Sequence, residues 1–148
     1  MKDPVPFQTT LHVRDTCLCL HTQRAARVLA RRFDGLLRPV GLTNAQFSLL
    51  MALNRPEPAT IGPLAALLGA DRTTLTAALK PLQREGLVTV EPDPDDRRGR
   101  RVRLTPAGAA RLAAAVPIWV EGHAALEKEL DDPDALRAGL LALAGRAA

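Results

Sequence analysis

Hydrophobic and polar positions repeat with two different periods along the chain, and the switches between them mark out its elements. From about Leu11 to Val40, residues Leu18, Thr22, Ala25, Leu29, Phe33, Leu36 and Val40 recur at spacings of four and three. That repeat lays one stripe along one side of an α-helix. Arg24, Arg27, Arg31 and Arg38 fall on the opposite side, and Pro39 with Gly41 ends the helix. "LTNAQFSLLMALNRP" predicts a second helix, capped by Thr43 or Asn44, with Phe47, Leu50 and Leu53 facing inward.

"ATIGPLAALLGADRTTLTAALKPLQREG" holds two short helices. Thr60 caps the first, whose buried face is expected to be Leu64, Leu67 and Leu68, and Gly69 stops it. Asp71 caps the second, which turns Leu75, Leu79 and Leu82 inward; Pro81 should weaken its second turn. Two short helices joined by a tight glycine-containing turn form a helix-turn-helix. After Gly86 the period changes to two. "LVTVE" and "RRVRLT" read as strands, the latter with Val102 and Leu104 on one face and Arg101 and Arg103 on the other. Between them "PDPDDRRG" is loop-forming in composition. Thr105-Pro106 opens a long helix that Pro117 should kink, and Asp132-Pro133 opens a last one carrying Leu136, Leu140, Leu141 and Leu143. The predicted fold is mainly α with a small β-hairpin wing: a winged helix-turn-helix flanked by N- and C-terminal helices.

The 148 residues suit one domain with a core of its own. With 47% hydrophobic residues, 3% aromatic and no tyrosine, that core must be aliphatic. No apolar run approaches the roughly 18 residues of a membrane span. "MKDPVPFQTT" has no apolar signal segment, so a cytoplasmic protein without a membrane partner is expected. The chain shows no glycine-rich phosphate loop, convergent carboxylate pair, metal-ligand cluster or nucleophile motif. No enzymatic activity, cofactor or metal is expected.

Charge changes this picture more than composition does. Residues 1–59 carry eight Lys/Arg and four Asp/Glu, 60–108 carry eight and six, and 109–148 carry four and six. Yet "DDRRGRRVRLTPAG", residues 95–108, packs five arginines into positions 97–103 with no acid among them. A charge run is usually solvated surface. A run placed on a wing beside a helix-turn-helix points instead to a polyanion.

"DPDDRRGRRVRLTPAG", Asp93 to Gly108, resembles the wing signature of the MarR family of bacterial transcriptional regulators. The order of elements from about Leu11 to Leu130 is similar to that family as well. The resemblance implies one MarR-type domain over 1–148, with 8–40 and 106–148 as dimerisation helices and 44–105 as the winged helix-turn-helix lobe. It implies a homodimer on pseudo-palindromic double-stranded DNA, one recognition helix per half-site in the major groove and the wings at flanking minor grooves. It also implies a regulator, a repressor by expectation, released by a small aromatic or phenolic effector. An apolar N-terminal stripe and an amphipathic C-terminal helix pair fit this, because a partner subunit would bury them.

On that reading the DNA-binding residues are Arg72, Thr73, Thr74, Thr76, Ala77 and Lys80 on the second helix of the motif, and Asp96, Arg97, Arg98, Arg100 and Arg101 in the wing. Short hydroxyls and a methyl allow close approach to base edges, while Arg and Lys reach guanine or phosphate. The resemblance places Arg98 in the minor groove, with Asp96 orienting it by a charge-assisted bond. Arg97, Arg100, Arg101 and Arg103 are expected to serve phosphates or internal ion pairs. His21, Arg14 and Gln46 are candidate polar groups beside an effector cleft.

Cys17 and Cys19 are too few for a disulfide framework and read as free thiols. On one continuous helix they would point about 200° apart, Cys19 nearer the apolar stripe and Cys17 nearer the arginines. "LCLHTQRAAR" is similar to the surroundings of the reactive cysteine in the organic-hydroperoxide-sensing branch of the family, although the tyrosines of that branch are missing. His21 or Arg24 could lower a thiol pKa here instead, which makes a redox-sensing repressor the alternative reading. Cys17 and His21, one turn apart, could also share a metal. A winged helix used only for protein interaction, without DNA binding, is a further alternative, and the wing arginines argue against it. Trp119 should fill the core or a dimer interface.

Overall fold

The computed structural model describes residues 4–145; residues 1–3, and residues 146–148 at the end of the segment 106–148 expected to dimerise, lie outside it. Its elements run α1 (Phe7–Thr16), α2 (Leu18–Leu37), a short 3-10 turn (Arg38–Val40), α3 (Asn44–Leu53), β1 (Ala59–Thr60), α4 (Ile61–Leu68), α5 (Arg72–Arg84), β2 (Val88–Asp93), β3 (Asp96–Leu104), α6 (Pro106–Glu127) and α7 (Pro133–Ala144). This is the mainly helical winged helix-turn-helix that the periodicity predicts.

The N-terminal segment departs from the expected single helix. Cys17 takes extended backbone angles (φ −70, ψ 111) and separates α1 from α2. Local side chains compete for the helical carbonyls there. Thr16 Oγ1 donates to the His12 carbonyl at 2.7 Å, and the Cys17 carbonyl faces both the His21 amide (3.1 Å) and His21 Nδ1 (2.7 Å). Hydroxyls bonded back to the preceding turn bend helices. Along the stripe, only Phe33 is buried; Leu18 stays 65% exposed and Leu29 38%.

The caps form where the sequence places them. Thr43 makes a reciprocal capping box with Gln46. Asp71 accepts the Thr74 amide at 2.7 Å, Thr105 accepts that of Gly108 at 3.0 Å, and Asp132 that of Ala135 at 3.0 Å. Thr60 occupies its N-cap position without a side-chain bond. Gly69, at φ +64, closes α4 in the left-handed region that a side chain disfavours. The buried face of α4 is Ile61, Leu64 and Ala65, whereas Leu67 is 56% exposed, contrary to expectation. The helix is so short that its N-terminal turn, seated beside the sheet, sets which side faces inward. Helices α5 and α6 continue through Pro81 and Pro117.

Three antiparallel strands in the order β1-β3-β2 form the sheet. β1, which no periodicity announced in two residues, pairs Ala59 with Val102 and Thr60 with Arg101. The segment expected to be loop is mostly strand, with only Pro94 and Asp95 between β2 and β3. The core joins Leu37, Leu50, Leu75, Leu82, Leu87, Val88 and Val102, each at most 2% exposed, across α2, α3, α5 and the sheet. Burial of such aliphatic side chains contributes about 1.5–3 kcal/mol each before entropy is charged against it.

α6 meets this core at Gly108. A Cβ there would fall directly on the Leu87 carbonyl oxygen and 3.0 Å from the Leu87 carbonyl carbon. Gly35, by contrast, faces open space. Gly108→Ala should therefore lower unfolding free energy by roughly 3 kcal/mol, the upper end of ordinary overpacking. Gly35→Ala should raise it by about 0.5 kcal/mol through helix propensity. Urea unfolding of both variants checks the contrast, and equal stabilities would contradict this packing.

Candidate nucleic-acid interface

Helix α5 owes its orientation to its buried side. Leu75, Leu79 and Leu82 face the core, so the positions between them face out. Arg72, Thr73, Thr76, Ala77 and Lys80 line one shallow concavity of about 310 Å³. Thr74 is exposed but does not line it; its amide is taken by Asp71. That amide, followed by the Thr74 hydroxyl, holds the Asp71 carboxyl below its ordinary range. The cap is therefore ionised and in place at neutral pH, and protonation at low pH loosens it. Thr76 Oγ1 donates to the Arg72 carbonyl at 2.8 Å, so its hydroxyl hydrogen is taken within the helix. A Cβ at Gly62 of α4 would lie 3.6 Å from Arg72 Nη2, so the guanidinium rests over the preceding helix.

The wing is a hairpin with a defect. Pro92 pairs with Arg100 but Asp93 pairs with Asp96, so Arg97, Arg98 and Gly99 have no partner across the strand. The β-bulge puts the Arg97-Arg98 pair on a stretch of β3 without cross-strand pairing. Both are exposed, and among the described residues neither guanidinium has a hydrogen-bonding or ionic partner. Asp96 acts differently from expectation: its Oδ1 accepts the Arg98 backbone N–H at 3.0 Å rather than the guanidinium. It therefore fixes the chain reversal, and Arg98 is left to reach outward. Arg100, also exposed, donates from Nη1 to the Gly99 carbonyl at 3.1 Å.

Arg101 is held inside the wing. Its Nε donates to Asp93 Oδ1 at 3.0 Å and its Nη2 to Asp95 Oδ2 at 2.8 Å. Of the two uses the sequence left open for it, the structure shows the internal ion pair. Asp93 and Asp95 escaped sequence reasoning because their link to Arg101 spans eight and six residues. It exists only in this hairpin register.

Of the residues expected near an effector cleft, Gln46 lines a shallow cavity with Asp34, Arg38 and Thr43, and Arg14, His21 and Gln46 all make local bonds. Arg14 pairs with its neighbour Asp15, His21 bonds the Cys17 carbonyl, and Gln46 serves the cap of α3. The apolar groove of the chain, about 510 Å³, runs between α3, α4 and α6 beside Phe47, Met51, Leu67, Val116, Trp119 and Val120. Trp119 is half-buried there, its ring stacked 4.5 Å from that of His123 and 6.1 Å from that of Phe47. The free thiols are also rearranged. Cys17, at the helix break, is half-buried and Cys19, in the first turn of α2, is exposed. No group of three or more His, Cys, Asp or Glu side chains suited to a metal occurs among the described residues. Among these residues, too, no helix is long and apolar enough to cross a membrane.

Comparison with known proteins places these surfaces in context. The MarR family profile matches residues 40–99. The transcriptional activatory protein BadR of Rhodopseudomonas palustris is 42% identical over 88 residues, 57% of this chain and 50% of BadR. The chain thus spans about half the length of that relative. The organic hydroperoxide resistance transcriptional regulator of Bacillus subtilis is 30% identical over 101 residues, 68% of this chain and 69% of its own. Among solved structures, the M. tuberculosis transcriptional regulator MosR in complex with DNA superposes with a TM-score of 0.81 at 40% identity. The match covers 87% of this chain and 94% of MosR.

Proposed function

The chain belongs to the MarR family of transcriptional regulators, and from that premise we propose that it binds a pseudo-palindromic operator in double-stranded DNA as a homodimer and represses the adjacent promoter. The observation that carries this reading is the pairing of two outward cationic features on one lobe. One is the α5 face of Arg72, Thr73, Thr76, Ala77 and Lys80; the other is the unpaired Arg97-Arg98 bulge of the wing. The helix reads base edges in the major groove, and Arg98 enters the flanking minor groove. The likeness to DNA-bound MosR supports it.

Residues 44–105 form the DNA-binding lobe, and the segments 8–40 and 106–148 join the two subunits. Apolar surface left uncovered within one chain supports this assignment. Val13 is 50% exposed and Leu18 65%, while on α7 Leu141 is 59% and Leu143 61% exposed. Apolar surface on that scale marks an interface, and a second copy buries it symmetrically. The protein acts in the cytoplasm, where its operator is.

Arg98→Ala should weaken operator binding by roughly 1–3 kcal/mol, the range for one well-placed arginine. Arg98→Lys should restore little, because a strongly hydrated ammonium enters a narrow groove at greater cost than a planar guanidinium. Titration of a duplex selected by the wild-type protein from a random library measures both, with the dimer checked by light scattering. Undiminished binding by Arg98→Ala contradicts the wing's role.

The groove beside Trp119 is the place we assign to a small aromatic effector, since its walls are apolar and come from both the lobe and α6. With one tryptophan and no tyrosine in the chain, ligand entry is read directly. Aromatic carboxylates that release DNA should quench Trp119 emission saturably, and release with unchanged emission would place the effector elsewhere.

A second reading, release by organic hydroperoxide, is favoured by exposed Cys19 at the positive end of α2 and by the likeness to the B. subtilis regulator. Cys19→Ser should keep DNA binding and lose release by hydroperoxide, with Cys17→Ser affected less. Equal release from wild type and both variants removes the thiols from the mechanism.

A further inference from the structure

We propose that Arg101 is a positioning residue of the wing, a clamp that holds the turn presenting Arg97 and Arg98, and not itself a contact to DNA. The inference rests on the DNA-binding reading above and adds a role for three residues, Asp93, Gly99 and Arg101.

Arg101 stands on the best-anchored part of the sheet. It lies on the central strand, in register with Glu91 of β2 on one side and Thr60 of β1 on the other. From that fixed base its guanidinium reaches both the end of β2, at Asp93, and the reversal, at Asp95. Asp93 Oδ1 also accepts the Asp95 backbone N–H at 3.0 Å, so one carboxylate oxygen gathers the side chain and the turn. The Asp93 side chain is only 12% exposed. A carboxylate so shielded from water depends on its cation, and removing Arg101 leaves Asp93 with the Asp95 amide alone.

Gly99 supplies a separate indication. A Cβ at this position would lie 3.2 Å from Asp93 Cβ and 3.4 Å from Asp93 Oδ2. The bulge that carries the two exposed arginines is therefore packed against the clamp. Arg97 and Arg98 lack cross-strand partners, so the clamp and the Asp96 bond to the Arg98 amide are what define their backbone. An ordered tip matters because a guanidinium on a loose loop spends binding free energy on its own immobilisation.

The two roles open to Arg101 predict opposite signs for Asp93→Asn. If Arg101 contacts phosphate and Asp93 merely competes for it, deleting the negative charge strengthens DNA binding. If Arg101 works through Asp93, the variant binds roughly tenfold more weakly, within the range for a misplaced DNA-contacting arginine, although the protein has become more positive. Arg101→Met combined with Asp93→Asn should then cost no more than either change alone, because both break the same unit. The probe is the duplex selected by the wild-type protein. Hydrogen exchange of the amides of residues 94–99 in free protein is the second measurement, and it should quicken in both single variants and in Gly99→Ala. Tighter or unchanged binding by Asp93→Asn, additive losses in the double variant, or unchanged exchange would each overturn the clamp. If the wild type selects no duplex, the DNA-binding reading fails separately, and the exchange measurement still decides whether Arg101 orders the tip.

Discussion

Four elements meet at the backbone of Leu87, and both outward cationic surfaces hang from that junction. The Leu87 N–H closes the end of α5 on the Leu82 carbonyl at 2.9 Å, and its carbonyl accepts the Thr105 N–H at 3.1 Å. Thr105 Oγ1 donates to the Gly86 carbonyl at 2.6 Å and accepts the Gly108 amide. Buried backbone groups require partners, and here each partner comes from a different element. The exit of α5, the entry to β2, the end of β3 and the start of α6 are thereby fixed to one another. No side chain fits between α6 and this point, which is why residue 108 is glycine.

The arginines divide by what the local backbone lets them do. Arg101, on the paired central strand, finds carboxylates within reach and is held in ion pairs with them. Arg97 and Arg98, four and three residues earlier, sit on a bulge that lacks cross-strand partners, and they face solvent. One dense basic run thus yields a structural group and two unpaired groups that face solvent. The apolar side chains of α1 and α7 are in the same condition as those two arginines: neither helix has a buried residue within its own chain. Surface of that kind is what the homodimer proposed above would bury.

Local rules made much of this legible in the sequence. Caps at Thr43, Asp71, Thr105 and Asp132 and the stop at Gly69 need only neighbours a few residues away, so the element boundaries could be read. So could the inward side of α5 and the wing's alternation around Val102. The misreadings all depend on partners distant in the chain or on competition within one turn. The break at Cys17 comes from Thr16 and His21 bonding backbone carbonyls that periodicity cannot see. β1 exists only because β3 lies alongside it. Leu67 fits the helical stripe of α4 but lies in the groove wall. The Arg101 clamp requires the hairpin register, and the groove at Trp119 requires α3, α4 and α6 to be packed together.

The central claim, two lobes of one homodimer reading two half-sites, is tested most directly by hydroxyl-radical and dimethyl-sulfate footprinting on a duplex selected by the wild-type protein. The account predicts two protected major-groove tracts centred about one helical turn apart, related by a two-fold axis, each flanked by a protected minor groove. A single contiguous half-site, or protection with no minor-groove component, would contradict it.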